Sequence, residues 1–329
     1  MSTLPWQSTQ WTSLIQRYRD NNLPHAILLT GVEGIGKQEF ARQLSQGLLC
    51  QQPADNGEAC GECKSCLLLN AGTHPDLLEI VPEEAGKAIK VDQVRQVTEF
   101  SSLSSFSNGY KVIVICPAES MNKASANSLL KTLEEPSAQT ILLLVSSSPQ
   151  QLLPTVRSRC QQVFFPAPSS TQATTWLQDE IPGCDAAMLL EMAGSAPLKA
   201  SQFSQTDASA SQYSDQLGNI VALIDGSQNP LSVANSWQKS DVGSVLGWFS
   251  GWVMDIIRLK ASEQPPHLAS PAMRPDLQAL AKQLECQSLH HFLERLYEAR
   301  RLATTTQVNT LLLLEEILIR WAALPKNKV

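Results

Sequence analysis

Charge and aromatic residues are sparse in this chain. Only 17% of its 329 residues are charged and 6% are aromatic, and 31 acids against 25 bases leave a formal net charge of −6. That balance excludes a protein held on DNA by its overall charge, leaving room only for a local basic patch. Long hydrophobic runs are absent. Runs such as Ile141–Val145 and Leu311–Leu314 fall far short of the ~20 residues that a membrane-spanning helix needs. The opening residues, Met1 to Trp6, carry no basic cluster ahead of an apolar stretch, so no secretory signal and a cytoplasmic location are expected. Length and a hydrophobic fraction of 43% suit two or three domains with substantial cores.

Five short segments are apolar at consecutive positions: Ala26–Leu29, Leu77–Val81, Lys111–Ile115, Ile141–Val145 and Val163–Phe165. Unbroken apolar runs suit strands covered on both faces, as in a parallel sheet. Helical patterns separate them. Phe40, Leu44 and Leu48 share one face, Asp92 is placed to cap a helix bearing Val94 and Val97, and Ala126, Leu129, Leu130 and Leu133 form a stripe that must end before Pro136. The expected class is α/β: a P-loop-type parallel-sheet domain over residues 1–166. A small helical domain follows at 167–207, and an all-α domain at 208–329. The Ser- and Gln-rich stretch Ser201–Ser214 is read as a linker.

After the first strand comes Gly31-Val32-Glu33-Gly34-Ile35-Gly36-Lys37-Gln38. Such loops aim backbone N–H groups and a helix N-terminus at phosphates, with the lysine reaching the terminal ones. Gly31, Gly34, Gly36 and Lys37 are therefore the candidate nucleotide contacts. Gln38 stands where a Ser or Thr hydroxyl would ligate Mg²⁺. Hydrolysis also needs a carboxylate at the end of a neighbouring strand. The third strand instead runs into Cys116-Pro117-Ala118-Glu119, which points to a loop that has kept its shape and lost its chemistry. Retained Lys37 leaves ATP binding without turnover open.

Eight cysteines are present, and four lie close together as Cys50-x9-Cys60-x2-Cys63-x2-Cys66. Four thiolates make a closed, structural Zn²⁺ site. An iron–sulfur cluster is the competing reading, disfavoured because no Cys-Pro pair follows nearby; free thiols come third. Cys116, Cys160, Cys184 and Cys286 are read as small core residues. Arg157-Ser158-Arg159-Cys160 precedes the fifth strand. Arginine can neutralise a transferring phosphoryl group bidentately, including across a subunit boundary, although two loop arginines alone more often form a solvated surface.

In order, the Gly-rich loop, the four-cysteine insert, Asn127-Ser128-Leu129-Leu130-Lys131-Thr132-Leu133-Glu134-Glu135-Pro136 and Ser158-Arg159-Cys160 resemble the bacterial clamp-loader subunits of DNA polymerase III, of the AAA+ class. The resemblance is strong over the N-terminal half; the C-terminal half is similar in being a helical collar of suitable length. It implies a non-hydrolysing stator in a hetero-pentamer with motor subunits (gamma/tau) and a delta subunit. That assembly uses ATP to load the sliding clamp onto primer–template DNA, as part of the polymerase holoenzyme. In the motor subunits Asp-Glu would occupy the positions of Cys116 and Pro117, and a second-sensor arginine that of Pro197. Ser146 to Ser148 match the first-sensor region. Arg159 matches the arginine finger that acts on a neighbour's ATP, and the four cysteines match the family's zinc module. Two rival readings are a working motor ATPase with Glu119 as its acid, and a stand-alone zinc-stabilised nucleic-acid-binding protein.

Overall fold

The computed structural model describes residues 3–84, 86–106, 109–137, 139–204, 208–305 and 308–327. The chain forms two compact units, Met1–Ala173 and Thr174–Val329. The first contains α1 (Ser8–Arg19), β1 (Ala26–Thr30), α2 (Lys37–Leu49), α3 (Lys64–Asn70) and β2 (Leu77–Ile80). It continues with α4 (Val91–Ser102), β3 (Lys111–Ile115), α5 (Lys123–Glu134), β4 (Thr140–Ser146), the short α6 (Pro154–Arg157) and β5 (Gln161–Phe164).

All five strands are parallel, in the order β2-β3-β4-β1-β5. Consecutive apolar residues point to opposite faces, and both faces are covered. Ile27, Leu29, Val112, Val114, Leu143 and Val145 pack with Leu14, Phe40 and Leu44 of α1 and α2. Leu28, Ile113, Ile115, Leu142 and Leu144 pack with Val94, Val97, Leu129 and Leu133 of α4 and α5. Each fully buried side chain of this size contributes about 1.5–3 kcal/mol, which explains why these strands lack polar alternation. Because β1 lies between β4 and β5, one strand in from the sheet's edge, the loop after β1 opens at the C-terminal ends of the strands, where ligands of open α/β sheets bind.

The second unit is helical. α7 (Ser170–Glu180) leads into it, followed by α8 (Ala186–Met192), α9 (Pro197–Ser204), α10 (Ala208–Asp225), α11 (Pro230–Trp237) and α12 (Val242–Ala261), then α13 (Arg274–Gln283), α14 (Cys286–Thr305) and α15 (Thr310–Ala322). Its core is aromatic: Phe249 packs against Trp237, Phe292 and Trp321 with ring centroids 6.1, 5.4 and 5.0 Å away. The buried indoles of Trp248 and Trp252 find the partners their N–H groups favour, whereas the Trp237 Nε1 is buried without one among the described residues. Trp252 donates to the Tyr213 hydroxyl at 2.9 Å, and Trp248 donates to the Met192 carbonyl at 2.7 Å. Among the described residues no helix is long and apolar enough to cross a membrane.

The expected α/β class, with helices after it, is what the chain adopts. Four local expectations are corrected. Asp92 lies inside the first turn of α4, paired with Arg95, while Lys90 is the N-cap and its N–H donates to the Gln93 side chain at 3.0 Å. Val81 lies outside β2 and is exposed. The expected linker is mostly helix, since α9 reaches Ser204 and α10 starts at Ala208. Small polar residues are tolerated in a helix whose other positions pack, as Tyr213 and Leu217 do here. Cys286 is exposed at the start of α14 and is no core residue. The 207/208 boundary of the expected three-domain division adjoins residues outside the described ones.

Candidate functional site

The Gly-rich loop is shaped by backbone that only glycine adopts easily. Gly34 and Gly36 have φ of 77° and 87°, in the left-handed region. A Cβ on Gly31 would come within 2.4 Å of the Phe165 carbonyl. The N-terminal segment braces the loop from behind: the Trp6 indole and the Gln7 amide donate to the Ile35 carbonyl, both at 2.9 Å, and Gln7 also reaches the Gly36 carbonyl at 2.8 Å. Gly36 is the N-cap of α2, and Lys37 is the helix's first residue.

Lys37 is 4% exposed, and its ammonium is engaged within the chain. It donates to the Val32 carbonyl at 2.6 Å and to the Ser147 hydroxyl at 3.0 Å. Burial lowers its pKa, and the negative charge of Glu119 opposes that shift most strongly. Gln38, in the magnesium-ligand position, is exposed.

The end of β3 carries no acid. Cys116 occupies the position, with its thiol pushed up to about 11 by burial and by nearby Glu119. Glu119 lies in a short helical turn, and its Oε1 accepts from the Ser147 and Ser148 amides at 2.8 and 3.1 Å. That carboxylate therefore caps the end of β4. Lys37, Cys116, Glu119 and Ser147 thus lie near one another, with Lys37 and Glu119 Oε1 both bound to Ser147, while Glu119 Oε2 is buried without a hydrogen-bond partner among the described residues. In the second unit Pro197 is the first residue of α9 and is buried, so no cation stands there.

Arg159 follows α6, one residue before buried Cys160. Its Nη2 lies 2.5 Å from Glu134 Oε1, and its Nη1 donates to the Thr155 carbonyl at 3.0 Å. Its side chain keeps 35% of its surface exposed.

The four clustered cysteines meet in space. Cys50 ends α2, Cys63 is the N-cap of α3, and Gly61 turns the chain between them with φ 79°. The Sγ atoms of Cys50 lie 3.6 Å from those of Cys60 and Cys66 and 3.9 Å from that of Cys63, and the Cys60–Cys66 separation is 3.9 Å. A tetrahedron with metal–sulfur bonds of about 2.3 Å has sulfurs roughly 3.8 Å apart, whereas a disulfide needs about 2.05 Å. Backbone N–H groups point at the sulfurs: Cys60 N at 3.3 Å from Cys50 Sγ, Cys63 N at 3.4 Å from Cys60 Sγ, and Cys66 N at 3.4 Å from Cys63 Sγ. Such donors favour thiolates. Burial raises Cys63, but the amides of Cys66 and Gln51 outweigh it and leave it lowered, while burial drives Cys66 upward. Four thiols this close cannot all ionise unless a cation sits among them. The donor set and its spacing fit one tetrahedral metal ion, and the soft ligands suit zinc.

Reading the chain as a line missed three contacts: Lys37 with Ser147, Glu119 with the end of β4, and Glu134 with Arg159. No local signal marks them, because the partners come from different strand–helix units. A run of hydroxyls at Ser146–Ser148 after a buried strand was the one available hint.

Residues 6–169 match the family described as DNA polymerase III, delta subunit, and residues 208–323 match DNA polymerase III, delta subunit, C terminal. The chain is 37% identical over 327 residues to DNA polymerase III subunit delta' of Pseudomonas aeruginosa, covering 98% of each chain. It is 31% identical over 322 residues to the subunit delta' of Escherichia coli, covering 97% of this chain and 95% of the other. DNA polymerase III subunit tau/gamma of Haemophilus influenzae is 33% identical over 216 residues, which span 64% of this chain and 31% of that one. With likeness to the delta' proteins running end to end, this chain belongs to the DNA polymerase III subunit delta' family.

Proposed function

We propose that the chain is the non-hydrolysing stator of a clamp loader, working beside gamma/tau motor subunits and a delta subunit in a hetero-pentamer. In this reading the assembly loads the sliding clamp onto primer–template DNA in the cytoplasm at the expense of ATP, and Arg159 acts on the ATP of an adjacent motor subunit. Residues 1–166 carry the site, 167–207 serve as a lid, and 208–329 form the collar. The four cysteines hold a structural zinc ion.

One observation carries the reading. The carboxylate nearest the loop, Glu119, is bound by the Ser147 and Ser148 amides, and Lys37 is bound by Val32 and Ser147. The phosphate cation and one oxygen of Glu119 are thus engaged within the chain, with Glu119 Oε2 buried and without a hydrogen-bond partner among the described residues, while the Arg159 side chain keeps part of its surface exposed. The same engagement of Glu119 weighs against a motor ATPase that uses it as the acid.

The test is ATP turnover by the isolated chain and by the chain reconstituted with its motor subunits. The isolated chain should not hydrolyse ATP. Arg159→Ala should leave the assembly intact and cut turnover at the one affected interface by ~10³-fold. ATP hydrolysis by the lone chain that disappears in Lys37→Ala would overturn the reading.

A further inference from the structure

Two intrachain bonds hold Arg159, and they come from different nitrogens. Nη2 pairs with Glu134 Oε1 at 2.5 Å, and Nη1 donates to the Thr155 carbonyl at 3.0 Å. Together they fix both the direction and the plane of the guanidinium. A guanidinium carries five N–H groups in a rigid fork, so these contacts leave donors for an incoming anion.

Glu134 stands in an unusual place for an acid. It is the last residue of α5, where the helix end already carries partial negative charge, and Glu135 follows it directly. The Arg159 cation offsets that local cost. Stability does not account for the pair: both side chains are substantially exposed, at 35% and 50%, and solvent-exposed pairs contribute little. Ordering a free arginine side chain opposes binding through its lost rotamer entropy. A contact that orders it beforehand removes part of that cost from the step in which it meets a phosphate.

We infer that Glu134 is the positioning residue of Arg159, presenting its guanidinium in a set orientation to the triphosphate on the adjacent subunit. This rests on the reading that Arg159 acts in trans. Glu134 reaches the reaction only through Arg159, so its effect belongs to turnover more than to ATP affinity.

The experiment uses the full chain reconstituted with its motor subunits, with ATP as the probe. Four variants are compared: Arg159→Ala, Glu134→Ala, Glu134→Gln and the double Arg159→Ala/Glu134→Ala. Glu134→Ala should lower kcat at the affected interface about tenfold, as misplacement of a catalytic group does, with KM for ATP little changed. Glu134→Gln keeps an acceptor oxygen and should restore most of the turnover. The double variant should be no slower than Arg159→Ala, and thermal melting of each variant checks that it is folded. Unchanged turnover in Arg159→Ala would remove the arginine's role in trans and this inference with it. Slow Arg159→Ala beside a wild-type Glu134→Ala would overturn the inference alone, as would losses that multiply in the double variant.

Discussion

The Nζ of Lys37 lies 3.0 Å from the hydroxyl of Ser147, joining the loop after β1 to the end of β4. Glu119 grips the same end through the amides of Ser147 and Ser148. The cation that such loops send to a phosphate is here spent on the chain's own architecture. Burial disfavours the Lys37 ammonium, and the nearby Glu119 carboxylate favours it across this strand end.

That arrangement predicts a structural role for Lys37. Lys37→Met keeps the bulk of the side chain but removes the donor to Val32 and Ser147, leaving Glu119 without its counter-charge. The expected loss is about 1–3 kcal/mol, read by urea denaturation of the isolated chain. A variant as stable as the native chain would refute the assignment.

The cysteine cluster predicts metal-dependent stability. Protein purified without chelator should carry about one zinc ion per chain. Cys63→Ser should release it and lower the melting temperature, because the segment between Cys50 and Cys63 loses its staple. Iron with visible absorption, or a melting curve indifferent to chelation, would count against zinc.

His74 predicts a pH dependence. It is buried, its Nδ1 accepts from the Asp76 amide at 3.1 Å, and its Nε2 faces Ser65 Oγ at 2.7 Å. Ser65 donates its own proton to the Leu49 carbonyl, so the neutral ring carries its hydrogen on Nε2. Burial lowers its pKa, opposed by Asp76. The unfolded chain therefore binds the proton more readily than the folded one. Stability should fall as pH drops below the ordinary imidazole value near 6.5 and level off below the folded-state pKa. Unfolding free energies of the native chain and His74→Gln between pH 7.5 and 5 (roughly the imidazole range) check this. Equal slopes would exclude His74 as the source.

Asp255 predicts a large effect in the helical unit. It is fully buried and accepts from the Ala269 and Ser270 amides at 3.0 and 2.7 Å and from Arg258 at 2.9 Å. Asp255→Ala should cost about 3–5 kcal/mol, because breaking a buried charged network leaves its partners unsatisfied. Asp255→Asn should cost less, since one acceptor oxygen remains. Denaturation that changes by under about 1 kcal/mol in the alanine variant would show the network to be dispensable.

Much of the first unit was legible in its residues. Ile113 and Leu142 sit in unbroken apolar runs that only a sheet covered on both faces can use, and Pro136 ends α5 where ring sterics demand. The P-loop spacing and the x2-spaced cysteines are local patterns, so they survive being read as a line. The helices around Ser201–Ser214 were missed because small polar residues give no periodic signal.

What the sequence determined by itself was therefore set by neighbours along the chain: the strands and helices of the first unit, the glycine-dependent loop, the absence of an acid at Cys116, and a spacing at Cys50, Cys60, Cys63 and Cys66 that could hold a metal ion. Tertiary structure alone decided which charges satisfy one another. Lys37 and Ser147 are 110 positions apart, Glu119 and Ser147 are 28 apart, and Glu134 meets Arg159 across a strand and a short helix. A hydrogen bond acts over about 3 Å, and only the folding of a parallel sheet brings such distant segments within that reach.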